Sequence, residues 1–255
     1  MNGPTITVAR YVLIEARRSG LPWLAAASVL GALGLAGFLA QVAITESAAL
    51  QASACAALLR GCAVFLVAAH VVASVVRETN DKGMELALAL PLSRPAWYLG
   101  KLLGFSCAGV LIATLFALPL LAWAKPADLA AWWLALAAEA AVVAAAALFF
   151  ATALGQTVTA IAATLGLYLL ARVISSIQII AGASLADEGA TGEMARWLVS
   201  AFEMLLPRLD ALARGDWLLY GAPPAAALAP ALGGLAIYFV LLAAAGLFDF
   251  SRKNL

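Results

Sequence analysis

Residues 130–154 read AAWWLALAAEAAVVAAAALFFATAL and contain a single ionisable side chain, that of Glu139. A stretch of about 20 apolar residues is long enough to cross the hydrocarbon core of a bilayer. The whole chain of 255 residues is 65% hydrophobic and 11% charged, whereas soluble domains average about 45–50% and about 25%. A soluble fold must carry polar atoms on its outside, and a bilayer removes that requirement. We therefore expect an all-α integral membrane protein.

Similar apolar stretches on both sides of this one predict six transmembrane helices, which form a single domain of residues 1–255. The predicted spans cover approximately 21–44, 53–76, 99–124, 130–154, 158–181 and 224–247. The first run is longer than the apolar core of a signal peptide, about 7–15 residues, so we expect it to remain as a span. Tryptophans fall near the predicted span ends, where aromatic side chains meet the headgroups: Trp23, Trp97, Trp123, Trp132, Trp133 and Trp217.

Lysine and arginine residues indicate the orientation, because cytoplasmic loops of membrane proteins carry an excess of them. With six spans, both termini lie on the same side as the loop after the second span. That side holds nine basic residues, counting Lys101 at the start of the third span, and the opposite side holds four. We therefore expect both termini in the cytoplasm. The high alanine content is typical of a bacterial protein, so the expected location is the bacterial cytoplasmic membrane.

Two segments outside the spans are amphipathic. Residues 5–19 place four apolar side chains on one face and basic side chains toward the other, which predicts a helix on the cytoplasmic membrane surface: Ile6, Ala9, Leu13 and Ala16. An unstructured basic tail is the alternative. In the loop 182–223, five apolar side chains share one helical face before Pro207, which predicts an outer re-entrant or interfacial helix: Met194, Trp197, Leu198, Ala201 and Leu205.

Three charged residues lie inside predicted spans at similar depth: Arg60 in the second, Glu139 in the fourth and Arg172 in the fifth. Each costs about 2.5–3.5 kcal/mol to place at the centre of a bilayer, so an unpaired charge facing lipid is unfavourable. We expect Glu139 to pair with Arg172 or Arg60. The group forms either a structural ion pair that fixes the packing of the spans, or a polar patch on a substrate route that binds an anion.

Small residues recur along two predicted spans, and such residues allow helices to approach closely in lipid. Gly31, Gly34 and Gly37 follow one another in the first span, and Gly100 and Gly104 stand at the start of the third. Each set fits a contact within one subunit or a contact between two subunits.

Motifs for catalysis and for metal or nucleotide binding are missing from the sequence. There is no G-x-x-x-x-G-K-[ST] phosphate loop and no H-E-x-x-H motif, and one histidine with three dispersed cysteines does not make a structural zinc site. The net charge of +1 gives no indication of nucleic-acid binding. We therefore expect no catalytic residues, no metal and no cofactor in this chain.

The loop of residues 77–101 carries the clearest functional signal. Two pairs of opposite charge at i,i+4 spacing allow the second helix to continue into water: Arg77 with Asp81 and Glu78 with Lys82. Gly83 then offers a bend, residues 84–90 predict a short apolar helix, and Pro91 ends it. Ser93 and Pro95 stand where a cap and a first-turn proline begin the next span. An exposed apolar helix of this kind either meets a partner or packs on the membrane and the other spans.

This loop resembles the corresponding loop in the permeases of type-2 ABC transporters. The residues that carry the resemblance are Glu78, Gly83, Glu85, Leu88, Pro91, Ser93, Arg94, Gly100 and Lys101. The six predicted spans, the inside termini and the two amphipathic segments also fit that family. The most similar subgroup is the one described with multicopper-enzyme maturation. Because methionine, histidine and cysteine are few and dispersed, the sequence does not predict a copper path.

The resemblance implies that two such subunits form an exporter with two separate ATPase subunits, which bind ATP and Mg²⁺. It also implies that the short loop helix is a coupling helix that docks on the ATPase. The residues assigned to coupling are Glu78, Gly83, Met84, Glu85, Leu86, Leu88, Pro91 and Arg94. Expected partners are therefore the ATPase, a second permease copy and membrane lipids. The alternatives are a secondary transporter or channel, and a membrane scaffold without transport activity.

Overall fold

The computed structural model describes residues 3–42, 47–81, 93–184 and 206–252, except for the side chains of Ser47 and of residues 174–184. Every regular element in these ranges is helical: α1 (Gly3–Arg18), α2 (Leu21–Val42), α3 (Ser47–Asn80), α4 (Arg94–Leu120), α5 (Pro126–Leu154), α6 (Thr157–Ser184), a 3₁₀ turn (Leu209–Ala211), α7 (Trp217–Tyr220) and α8 (Ala225–Arg252). The predicted all-α fold is confirmed for this part of the chain.

Five helices are long and apolar enough to cross a membrane: α2, α3, α4, α5 and α8. They make the chain a multi-pass membrane protein. Each overlaps one of the predicted spans, although α3 extends beyond the predicted 53–76 at both ends and α4 begins five residues before the predicted position 99. The remaining predicted span, the fifth (158–181), coincides with α6, whose apolar part with described side chains covers Thr157–Val173. A sixth crossing therefore stays a prediction.

Local sequence explains where α4 and α5 begin and end. Ser93 occupies the predicted cap position before α4 with an extended backbone, although its hydroxyl makes no capping hydrogen bond, and the predicted proline lies in the first turn. Lys125 precedes α5 in the same way, and Pro126 is its first residue. At the other end, Gly155 adopts φ 65° and donates its N–H to the carbonyl of Ala151. This left-handed conformation ends a helix at little cost in glycine because glycine has no Cβ.

The centre of the bundle is α5. It packs against α3, α4, α6 and α8, and 72% of its apolar window is buried, compared with 17% for α2 and 11% for α8. Small side chains make this possible, because they let neighbouring helices approach closely. A Cβ added at Gly109 of α4 would lie 3.0 Å from the Cβ of Ala140 in α5. The alanine-rich stretch that identifies the fold is thus the most enclosed part of it.

Helix α1 packs against the first half of α4. A Cβ at Gly100 would lie 2.7 Å from the Cβ of Val8, and one at Gly104 would lie 2.6 Å from the Cβ of Val12. This pair of glycines therefore serves a contact within one subunit. In contrast, a Cβ at Gly31, Gly34 or Gly37 of α2 would meet nothing within 4 Å.

The residues of α1 that pack against the bundle coincide only in part with its predicted apolar face. The buried residues are Ala9, Val12 and Ala16, whereas Ile6 is 49% exposed and Leu13 is half-buried. The glycine seam of α4 selects the face, because it accepts the backbone and the small side chains of α1 at close range. The larger side chains of Ile6 and its neighbours remain outside that contact.

The tryptophans do not form the belt that their positions in the sequence suggested. Trp97, Trp132 and Trp217 are buried, with exposed fractions of 1%, 0% and 6%. Trp133 donates its indole N–H to Thr114 Oγ1 over 3.0 Å. Only Trp23, among the six named from the sequence, is largely exposed, at 82%. Most of these rings therefore fill space between helices instead of meeting headgroups.

Candidate functional site

The three charged residues predicted inside the spans meet at one place, which we call the central polar cluster: Arg60, Glu139 and Arg172, together with Tyr168. Glu139 lies on α5 and its side chain is completely buried. Its Oε1 accepts a hydrogen bond from Nη1 of Arg172 on α6 at 2.9 Å, and its Oε2 accepts a longer one from the hydroxyl of Tyr168 at 3.4 Å. Of the two partners that the sequence offered for Glu139, Arg172 forms the ion pair.

Both arginines also bind backbone carbonyls of the segment 206–222. Nη1 of Arg172 donates to the carbonyls of Leu209 and Leu212 over 2.5 and 3.0 Å. Nη1 of Arg60, on α3, donates to the carbonyl of Ala213 over 2.8 Å. Three carbonyl oxygens within residues 209–213 thus point at two guanidinium groups.

The segment 206–222 needs these donors because part of its backbone is buried outside any long helix. Leu212 and Ala213 are fully buried, and Leu209 is 2% exposed. Irregular backbone inside an apolar bundle is tolerated only where its polar groups find partners in the protein. Ala213 has φ 47°, a left-handed conformation that is unfavourable for a residue with a Cβ. The bond to Arg60 holds the chain at this strained position.

A third polar contact fixes the end of the same segment. The carboxylate of Asp128, in the first turn of α5, accepts the backbone N–H of Ala222 over 2.7 Å through Oδ1. The segment is therefore held by side chains from α3, α5 and α6. Sequence reasoning found the charges of the central polar cluster but missed Tyr168, Asp128 and the carbonyl partners, since none of these has a signal in the sequence beyond a polar residue in a helix.

The cluster contains two cations and one anion, and each cation has a protein partner. Arg172 divides its bonds between Glu139 and two carbonyls, and Arg60 reaches a third carbonyl. Such bonds compensate for the desolvation of the guanidinium groups. This arrangement supports the structural alternative for the cluster more directly than the anion-binding alternative.

Most residues assigned to coupling lie outside the described ranges: Gly83, Met84, Glu85, Leu86, Leu88 and Pro91. The predicted helices at 84–90 and around 193–205 also lie there. Glu78 and Arg94, which flank the loop, are described. Nη1 of Arg94 donates to the carbonyl of Ser251 near the end of α8 over 3.2 Å.

Glu78 forms an ion pair across the base of the loop. Its Oε2 lies 2.5 Å from Nζ of Lys101 on α4, and the two side chains are 22% and 8% exposed. The ammonium group also lies 5.7 Å and 5.8 Å from the ring centroids of Trp97 and Phe105, distances that allow cation–π attraction. Lys101 is therefore enclosed by protein groups and is not an ordinary surface lysine.

A second ion pair joins α3 to α1. Oε1 of Glu15 lies 2.6 Å from Nη2 of Arg77 and accepts the hydroxyl of Ser74 over 2.9 Å. The sequence suggested Asp81 as the partner of Arg77 and Lys82 as the partner of Glu78. In the structure Arg77 and Glu78 bind residues of other helices, and Lys82 lies outside the described residues. We call Glu78–Lys101 and Glu15–Arg77 the terminal charge pairs, because they lie at one end of α3. They connect α3 to α4 and to α1.

Within the described part of the chain, no group of three or more His, Cys, Asp or Glu side chains is placed to hold a metal ion. Comparison with models of known protein families gives no match to the chain, and comparison with curated proteins gives none either.

Proposed function

We propose that the chain is the transmembrane subunit of an ATP-driven exporter of the type-2 ABC kind, working as a dimer with separate ATPase subunits that bind ATP and Mg²⁺. In this proposal the chain lies in the bacterial cytoplasmic membrane with six spans and both termini in the cytoplasm. The loop between α3 and α4 docks on the ATPase. The chain itself performs no catalysis.

The Glu78–Lys101 ion pair is the observation that supports the proposal best. The resemblance rests on a motif whose first and last charged residues are these two, 23 positions apart in the sequence. They are joined at 2.5 Å in the structure. A loop whose two ends are tied together moves as a unit with α3 and α4, which is what coupling to an ATPase requires.

Helix α3 provides a path from the loop to the rest of the bundle. It has 34 residues, and at about 1.5 Å per residue it is about 50 Å long. Glu78 lies at one end of it, and Arg60 lies along it and binds the segment 206–222. A push on the loop would therefore reach that segment through one continuous helix and one hydrogen bond.

In this proposal the central polar cluster positions the segment 206–222 and does not bind the transported substrate. If Glu139→Gln and Arg172→Gln both leave transport intact and only lower stability, the positioning role is correct. If either variant abolishes transport at unchanged stability, the cluster belongs to the substrate route.

The test of the function is purification of the chain from its native host in nanodiscs. We expect a nucleotide-binding subunit to accompany it and to hydrolyse ATP at a rate that depends on this chain. Leu88→Asp should reduce both the co-purification and the hydrolysis, because a charge on the docking helix opposes burial. Asn80→Asp is the matched control, since it adds the same charge at the exposed end of α3.

Two results would contradict the proposal. One is a chain that purifies without any nucleotide-binding subunit but transports solutes down an ion gradient, as a secondary transporter or channel would. The other is a Leu88→Asp variant that retains the ATPase as well as the Asn80→Asp control does.

A further inference from the structure

An apolar groove lies where α1, α2 and α4 meet. It has a volume of about 470 Å³, and ten of its eleven lining residues are apolar. Its walls include Leu13 and Ile14 of α1, Leu21 of α2, and Leu111 and Leu115 of α4. Small-molecule sites usually have volumes of about 300–1,000 Å³, so the groove is large enough for a substantial part of a lipid.

The single charged residue at this groove is Arg17. It lies in the last turn of α1 beside Arg18, and both residues are exposed. The one carboxylate of α1, that of Glu15, is paired with Arg77 of α3. The end of α1 therefore presents two positive charges beside an apolar groove, without a neutralising acid from its own helix.

We propose that this groove binds one anionic glycerophospholipid from the leaflet nearer to α1. An acyl chain would lie along the apolar walls, and the phosphate group would contact Arg17, with Arg18 adding to the local positive charge. Basic sites beside transmembrane helices bind anionic headgroups in this way. The proposal depends on the membrane location of the chain and not on the exporter function.

The two halves of the groove make different demands on a ligand. Its apolar walls select a chain of methylene groups over a soluble ion, and Arg17 selects an anionic headgroup over a zwitterionic one. A glycerophospholipid such as phosphatidylglycerol meets both demands. A bulk lipid that merely covers the protein surface would show no headgroup preference dependent on one arginine.

Native mass spectrometry of the full chain in detergent tests the proposal, with phosphatidylglycerol and phosphatidylcholine of identical acyl chains as probes. We expect phosphatidylglycerol to bind about five-fold more tightly, which corresponds to the roughly 1 kcal/mol that one basic residue contributes near an anionic headgroup. Arg17→Gln should remove this preference. Arg10→Gln should preserve it, because Arg10 is exposed on the same helix and does not line the groove.

A second variant tests the acyl-chain half of the site. Leu111 is 63% exposed and lines the groove, so Leu111→Trp can occupy the space without disturbing the interior. It should weaken binding of both lipids by a similar factor. Binding that is unchanged in Leu111→Trp would overturn the proposal.

Three other outcomes would also overturn it. Equal binding of the two lipids to the unaltered chain would mean surface coverage without headgroup selection. An equal loss in Arg10→Gln and Arg17→Gln would mean that general positive charge accounts for the preference. Displacement of the lipid by millimolar sn-glycerol 3-phosphate would identify a site for a soluble phosphate ester.

Discussion

The central polar cluster and the terminal charge pairs both neutralise charges on α3 and its neighbours, but they do so in different surroundings. Glu139 is fully enclosed, and the arginines around it also satisfy backbone carbonyls. The terminal pairs join one side chain to another, and Arg77 is 65% exposed. Because water can replace a lost partner only where it can enter, burial sets how much each charge matters to stability.

Removal of Glu139 should have the largest effect. Glu139→Leu leaves Arg172 partly buried with its anion gone, and breaking a buried pair costs about 3–5 kcal/mol. We expect a loss of this size in the free energy of unfolding, measured by reversible unfolding in mixed detergent micelles. Glu78→Gln serves as the matched control, since it removes a carboxylate from an ion pair that is closer to water.

The double variant Glu139→Leu with Arg172→Met sharpens this prediction. It removes both charges, so part of the loss should be recovered. Recovery should be incomplete, because the carbonyls of Leu209 and Leu212 then lack their donor. Full recovery of the free energy of unfolding would show that the bonds to these carbonyls contribute nothing to stability. No recovery would show that the unpaired charge of Arg172 is not the main cause of the loss.

The charged residues of the central polar cluster could be predicted from the sequence, whereas their carbonyl partners could not. A charge inside an apolar run is visible in the sequence, and its cost in lipid predicts that it finds a partner. Arg60, Glu139 and Arg172 were identified on that basis. The carbonyls of the 206–222 segment were not, because every residue has a carbonyl and only the path of an irregular chain decides where it points.

The same reasoning explains the partial success with α1 and α3. The amphipathic pattern locates α1 and hydropathy locates α3, but the buried face of α1 depends on Gly100 and Gly104 of another helix. In α3, the spacing of Arg77 and Glu78 suggested partners four residues away. In the structure Arg77 binds Glu15 and Glu78 binds Lys101 on other helices, and sequence spacing along one helix does not predict such tertiary contacts.

Loss of the hydrogen bond from Arg60 to the carbonyl of Ala213 should have the next largest effect on stability. Arg60→Met removes the donor from a buried carbonyl, and hydrogen bonds to charged groups contribute about 1.5–3 kcal/mol. We expect the loss to appear mainly as faster amide hydrogen exchange in residues 209–218. Gly61→Ala is the neighbouring control, since a Cβ there meets nothing within 4 Å. Equal exchange in the two variants would remove Arg60 from the role of positioning this segment.

Loss of the Glu78–Lys101 pair should cost less stability than a change in the central polar cluster and more than loss of Arg77 from the other terminal pair. Lys101→Met keeps much of the apolar stem against Trp97 and Phe105 but leaves Glu78, whose side chain is 22% exposed. That carboxylate can regain part of its hydration, so we expect a loss of about 1–2 kcal/mol. The measurement is the same unfolding titration. A loss as large as that of Glu139→Leu would show that the base of the loop is as enclosed as the central cluster.

The smallest effect should come from Arg77, although its distance to Glu15, 2.6 Å, is shorter than that of the buried pair at 2.9 Å. A short distance alone does not make a strong contribution when one side chain is mostly in water. Arg77→Gln should therefore cost less than about 1 kcal/mol, and the difference should shrink further at high salt. Glu15→Gln should cost more, because Glu15 is 28% exposed and also accepts the hydroxyl of Ser74. If Arg77→Gln lowers the free energy of unfolding more than Glu15→Gln does, exposure does not determine how much each charge contributes to stability. The contrast between the two regions would then have another cause.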